Sequence, residues 1–108
     1  IRNRLRDLAD SGVVIASVCT GSLVLADAGL LDGRPATTHW ASLELLASLG
    51  REIDVRADER FVDDGAIITA AGVSAGIDMA LHLIARLHSR ERAEEVRREI
   101  QYDPQPPV

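Results

Sequence analysis

Apolar positions recur along the chain in two rhythms, one helical and one extended, and the rhythms alternate. Ile1, Leu5, Leu8 and Ala9 fall at helical spacing, which predicts an amphipathic helix over residues 1–10 that Ser11-Gly12 ends. Residues 13–18, VVIASV, form a continuous and largely β-branched run; it reads as a strand buried on both faces, the habit of a central parallel strand. A helix over residues 21–28 follows, with Gly29 as its stop, and then a turn at Asp32-Gly33-Arg34-Pro35 and a short strand over 36–39. Ser42 starts a helix carrying Leu43, Leu45, Leu46 and Leu49, which Gly50 ends. Residues 53–56 and 60–62 read as a pair of short polar strands, and Asp63-Asp64-Gly65 as a tight turn into a strand over 66–71. A long helix over 75–88 and a strongly charged one over 90–100 come last, before a Pro-rich tail, YDPQPPV, expected to run extended over the surface.

This alternation predicts an α/β fold with a mostly parallel sheet. With 108 residues the chain suffices for one small domain. A strand as apolar as residues 13–18 needs neighbours on both sides, yet clear partners occur only downstream. The first helix also lacks a capping residue before it. Both features lead to the expectation that residues 1–108 are the C-terminal part of a single α/β domain whose first strands and helices precede Ile1.

The net charge of −5 and the scattered basic residues, all of them Arg, argue against nucleic acid and anionic membranes as partners. No apolar run approaches the length of a membrane span. One cysteine forbids an internal disulfide and points to a reducing, cytoplasmic setting.

That cysteine sits in SVCTG, residues 17–21, between a predicted strand and a predicted helix. A nucleophile elbow has this layout: strand, sharp turn with the nucleophile, helix, and small flanking residues where strand and helix come close. Helix N-terminal N–H groups favour a thiolate or a developing oxyanion. A second stretch, GVSAG at residues 72–76, has the same layout around Ser74. A serine hydrolase would need an acid and then a His on later strand ends. Here His82 and His88 lie on the helix that Ser74 opens, so Ser74 reads as a helix N-cap and a pocket-lining candidate, with Gly72 and Gly76 permitting close packing. Cys19 has a better partner: His39 ends the next predicted strand, and parallel neighbours bring their C-terminal ends together. Trp40 is read either as a pocket wall or as a buried residue. Asp78 and His82, four apart on one helix face, lack a third ligand and read as a surface pair, so no metal site is expected.

Taken in order, Cys19-Thr20-Gly21, DAGLLDGRPATTHW, FVDDGAIITAAGVSAGIDMALHL and IQYDPQPP resemble the ThiJ/PfpI superfamily, the DJ-type branch of the class I glutamine-amidotransferase-like fold. The likeness is to its isonitrile hydratase group and to the sensor domains of AraC-type regulators. It implies a flavodoxin-like α/β sandwich with helices on both faces of the sheet and the elbow at Cys19. It also implies a homodimer, a small-molecule substrate and no cofactor. Carried over by position, Cys19 matches the nucleophile and Thr20 its essential neighbour, with Gly21 and His39 in support and Trp40 and Ser74 as pocket-lining candidates. The family's acidic residue beside the cysteine would lie before Ile1. Position 41 is Ala, so the glutaminase-type His-x-Glu pair is absent and glutamine hydrolysis is not expected. The resulting expectation is a cysteine-dependent lyase that adds water to an isonitrile to give an N-substituted formamide, the Thr20 and Gly21 amides holding developing charge. The alternatives are a redox-sensing or glyoxalase-like member and the ligand-sensing domain of a transcriptional regulator.

Overall fold

The computed structural model describes residues 1–108. Its elements run α1 (Arg2–Asp10), β1 (Ile15–Ser17), α2 (Gly21–Asp27), β2 (Pro35–Ala36), a 3-10 turn (Trp40–Ser42), α3 (Leu43–Leu49), β3 (Asp54–Val55), β4 (Phe61–Asp63), β5 (Ile67–Ala70), α4 (Ala75–Leu87) and α5 (Arg90–Glu99). The predicted helices thus form within a residue or two of their expected limits. The glycines assigned as stops and turns serve as such: Gly12, Gly29, Gly33 and Gly65 all take positive φ, which costs glycine little.

The strands make two ladders. β1 pairs in parallel with β5, Ile15 beside Ile67 and Ser17 beside Thr69, and β5 pairs antiparallel with β4. β2 pairs in parallel with β3, Pro35 beside Asp54. Helices cover both faces of β5, whose four residues are all buried. Ile67 joins Leu25, Ala26, Leu31, Ala36 and Leu46 in one core cluster, on the side of α2 and α3. Ile68 and Ala70 point the other way and pack with Met79 of α4, backed by Phe61 and Leu83. The period of two along a strand sends alternate residues into the two layers.

Three expectations change. The run at residues 13–18 forms only the short β1, and it is not buried on both faces: Val13, Val14 and Val18 are exposed. The reason is its position, since β1 is an edge strand with β5 as its single neighbour. The strand expected over 36–39 is displaced to Pro35–Ala36, leaving Thr37, Thr38 and His39 as a connection into the 3-10 turn. The short strands at 53–56 and 60–62 exist as β3 and β4 but do not pair with each other; each joins a different ladder.

Candidate active site

β1 ends at Ser17 and α2 begins at Gly21, so the chain must turn within three residues. Cys19 takes this turn at φ 52°, in the left-handed region. For an L-residue that conformation costs about 1–2 kcal/mol, and it persists where the surroundings hold it in place. Both peptide groups of Cys19 are held. Its N–H donates to the Ala71 carbonyl (3.2 Å), at the end of β5. Its carbonyl accepts from the Thr38 hydroxyl (2.9 Å), at the end of the segment that follows β2. The Gly21 N–H donates to the Val18 carbonyl (2.9 Å) and closes the turn, so it is already engaged and is not free to hold developing charge, contrary to the sequence expectation. Gly21 also sits in a tight place, because a Cβ there would stand 3.3 Å from the Ser17 Cβ. Thr20 is exposed, its side chain caps nothing, and its N–H makes no hydrogen bond.

Hydroxyls crowd beneath this turn. Thr69 Oγ1 accepts from the Thr37 N–H (2.9 Å), and Thr38 Oγ1 reaches Cys19. The hydroxyls of Ser17, Ser22 and Thr37 are buried without a protein partner.

His39 and Cys19 make no hydrogen bond. β2 does not lie beside β1, so the segment after β2 delivers Thr38 to the Cys19 backbone while His39 faces elsewhere. Its Nδ1 accepts from the Ala41 N–H (3.1 Å), and its ring lies 5.4 Å from that of Trp40 and packs on Gly72. His39, Trp40, Arg60, Gly72 and Ser74 line an open cleft of about 340 Å3. Cys19 lines a different one, an apolar groove of about 510 Å3 walled by Val18, Val73, Ile77, Leu81 and Ile84. Trp40 is 77% exposed, so burial does not explain it.

The second candidate elbow is not strained. Ser74 has φ −70° and ψ −22°, ordinary helical values, and its side chain does not cap α4 as expected. Its hydroxyl accepts instead from Arg60 (3.1 Å), whose Nε donates to Asp78. Tyr102 donates to the other Asp78 oxygen (2.6 Å), so the tail is pinned to α4 at its first residues. The bond to Asp78, with burial adding to it, raises the Tyr102 phenol above its usual range. These groups and Pro104–Pro106 border the largest cavity, about 710 Å3, which does not include Cys19. Asp78 and His82 do not pair with each other, because each has another partner: Arg60, just before β4, for Asp78, and Asp63 of β4 for His82 (2.7 Å). Burial alone would raise the Asp63 carboxyl. The His82 hydrogen bond, the Gly65 N–H and the Arg86 charge outweigh it and hold the group below the ordinary carboxylate range. No three His, Cys, Asp or Glu side chains converge on a point that would hold a metal. No helix is long and apolar enough to cross a membrane.

The family model described as DJ-1/PfpI matches residues 1–86, from α1 almost to the end of α4. The chain belongs to the DJ-1/PfpI family. Among this family's relatives, it is 45% identical over 103 residues to an isonitrile hydratase of Pseudomonas putida, covering 95% of this chain and 44% of that protein. It is also 45% identical over 92 residues to the HTH-type transcriptional regulator CdhR of Pseudomonas aeruginosa, covering 85% of this chain and 27% of that protein. A solved ThiJ/PfpI family protein from Pseudomonas syringae superposes with a TM-score of 0.81 at 41% identity, over 98% of this chain and 44% of that one. An AraC family transcriptional regulator from Pseudomonas putida superposes at 0.84 over 92% of this chain and 53% of that one; at 23% identity it shows the shared fold alone. The chain therefore spans about half the length or less of the proteins it matches.

Within this DJ-1/PfpI framework, sequence reasoning missed Thr38, Arg60 and Tyr102. The paired threonines before His39 were the available signal for the first, since two hydroxyls at the end of a buried segment need acceptors. Nothing local announces the others, whose partner Asp78 lies 18 and 24 positions away.

Proposed function

We propose that this chain carries the nucleophile of a hydratase of the isonitrile-hydratase type, with Cys19 as the attacking atom in the full-length protein. The observation that carries the reading is the left-handed backbone of Cys19 at a strand-to-helix turn, fixed at both its N–H and its carbonyl. The 45% identity to an isonitrile hydratase over 95% of the chain supports this chemistry over others open to a cysteine. The Cys19 thiolate adds to the terminal carbon of R–N≡C, and an acid protonates that carbon to leave a thioimidate. Water then adds to the same carbon, and the thiolate leaves as the C=O bond forms, giving the N-substituted formamide. Thr20 orients water or substrate with its exposed hydroxyl, and its unengaged N–H meets developing charge. No Asp or Glu hydrogen-bonds the Cys19 turn. We assign the proton donor to a carboxylate in a segment preceding Ile1, together with the strands that would cover the open edge of β1.

A second reading is the ligand-sensing domain of a transcriptional regulator, favoured by the equal identity to CdhR. One experiment separates the two. Full-length protein is incubated with an alkyl isonitrile while isonitrile loss and formamide gain are followed. The hydratase reading requires turnover that Cys19→Ala lowers by about 10³-fold or more, as removal of a covalent nucleophile does. Turnover that survives Cys19→Ala refutes the nucleophile; no turnover with wild-type protein favours the sensor.

A further inference from the structure

We propose that Thr38 is a positioning residue for Cys19, a role that rests on the reading of Cys19 as the reactive group. Thr38 is 1% exposed, and its hydroxyl donates to the carbonyl of Cys19 itself. Of the buried hydroxyls in this layer, those of Ser17, Ser22 and Thr37 have no partner among protein atoms. Thr38 does find one, and it is the peptide that carries the strained φ.

The consequence follows from peptide geometry. In a planar trans peptide the carbonyl and the next N–H point in opposite directions. Holding the Cys19 oxygen inward therefore aims the Thr20 N–H outward. That N–H is the one amide of the pair that stays free, since Gly21 gives its own to Val18. Thr69 of β5 accepts the Thr37 N–H, one residue before Thr38, and makes no bond to Thr38 or to Cys19. The hydroxyl of Thr38 thus fixes both the thiol-bearing backbone and the direction of the nearest donor. Without it the Cys19–Thr20 peptide can rotate, turning the carbonyl toward the thiol and the N–H away.

The test uses full-length protein and three variants: Thr38→Val, which keeps the shape and loses the hydroxyl; Thr38→Ser, which restores it; and Thr69→Val, which removes the neighbouring hydroxyl that does not touch Cys19. Two readouts are taken. The first is the rate at which iodoacetamide alkylates Cys19, followed by mass spectrometry on the Cys19 peptide. The second is kcat and KM for isonitrile hydration. Thr38→Val is expected to slow alkylation and to lower kcat by about 10- to 100-fold with KM little changed, the size of effect that misplaced reacting groups produce. Thr38→Ser recovers most of both, and Thr69→Val leaves the alkylation rate near wild type. Should Thr38→Val fail to fold, Thr38→Ala is judged against Thr38→Ser in the same way. Unchanged alkylation in the hydroxyl-less variant, or an equal loss in Thr69→Val, overturns the proposal even where the wild type hydrates isonitriles. Slowed alkylation in a wild-type background without hydratase activity supports the positioning role and sinks the catalytic reading instead.

Discussion

Replacing Cys19 by glycine should leave the protein more stable than replacing it by alanine, the reverse of the usual order. Both exchanges delete Sγ, so the contacts of the half-buried thiol cancel in the comparison. What remains is backbone. Glycine ordinarily costs about 0.5–1 kcal/mol relative to alanine, because the unfolded chain gains freedom. At φ 52° alanine must instead carry the left-handed penalty of about 1–2 kcal/mol, which glycine does not. The difference leaves roughly 0.5–1 kcal/mol in glycine's favour. In a domain of about 150–250 residues that is a gain of some 1–4 °C in Tm, or a higher denaturant midpoint at unchanged slope. The exchange Ala80→Gly, at an exposed position within α4, supplies the contrast and should cost about 1 kcal/mol. Equal stability, or an advantage for Cys19→Ala, would mean that the cysteine does not hold the left-handed backbone in solution. The strain argument for its role would then fall. Both Cys19 variants lack the thiol, so under the proposed hydratase reading the more stable of them is expected to be inactive, and stability and function would part at this residue.

Two further outcomes are expected. The Asp63 carboxyl titrates below its unfolded value of 3.8, so its contribution to stability is present above that pH and is lost as pH falls through the lower folded value; Asp63→Asn should flatten the acid limb of urea midpoints plotted against pH, and an unchanged limb would refute the assignment. Tyr102→Phe removes the phenol bond that ties the tail to Asp78, and a loss of about 1 kcal/mol should raise proteolysis of the tail roughly fivefold, whereas wild-type cleavage rates would show that the bond does not hold it.

The limits of reading this chain from sequence lie in which strand neighbours which. Local signals carried far. The glycine after Asp63-Asp64 marks the turn, the apolar run after it forms the fully buried β5, and the spacing of Ile77, Leu81 and Ile84 gives α4 an apolar stripe. The small residues around Cys19 announced a sharp turn, and Gly21 is tight against Ser17 for that reason. Distinguishing SVCTG from GVSAG needed dihedral angles, because small residues permit a left-handed turn without requiring one: Cys19 adopts it and Ser74 does not. The errors share one cause. A run of β-branched residues shows the taste of a strand for burial, not the number of its neighbours, and β1 with a single neighbour exposes Val14 and Val18. The pairing of Cys19 with His39 assumed that consecutive parallel strands are adjacent. Here β5 occupies the place beside β1, so what arrives from the end of β2 is the residue before the histidine, acting through a hydroxyl on the backbone. The Asp78–His82 spacing failed in the same way, each side chain being claimed by a residue at or just before β4 that helical periodicity cannot see. Sequence therefore located the sharp turn at Cys19, and strand order decided which neighbour holds it. The practical consequence is that Thr38, and not His39 alone, belongs among the first residues to be changed when the chemistry at Cys19 is tested.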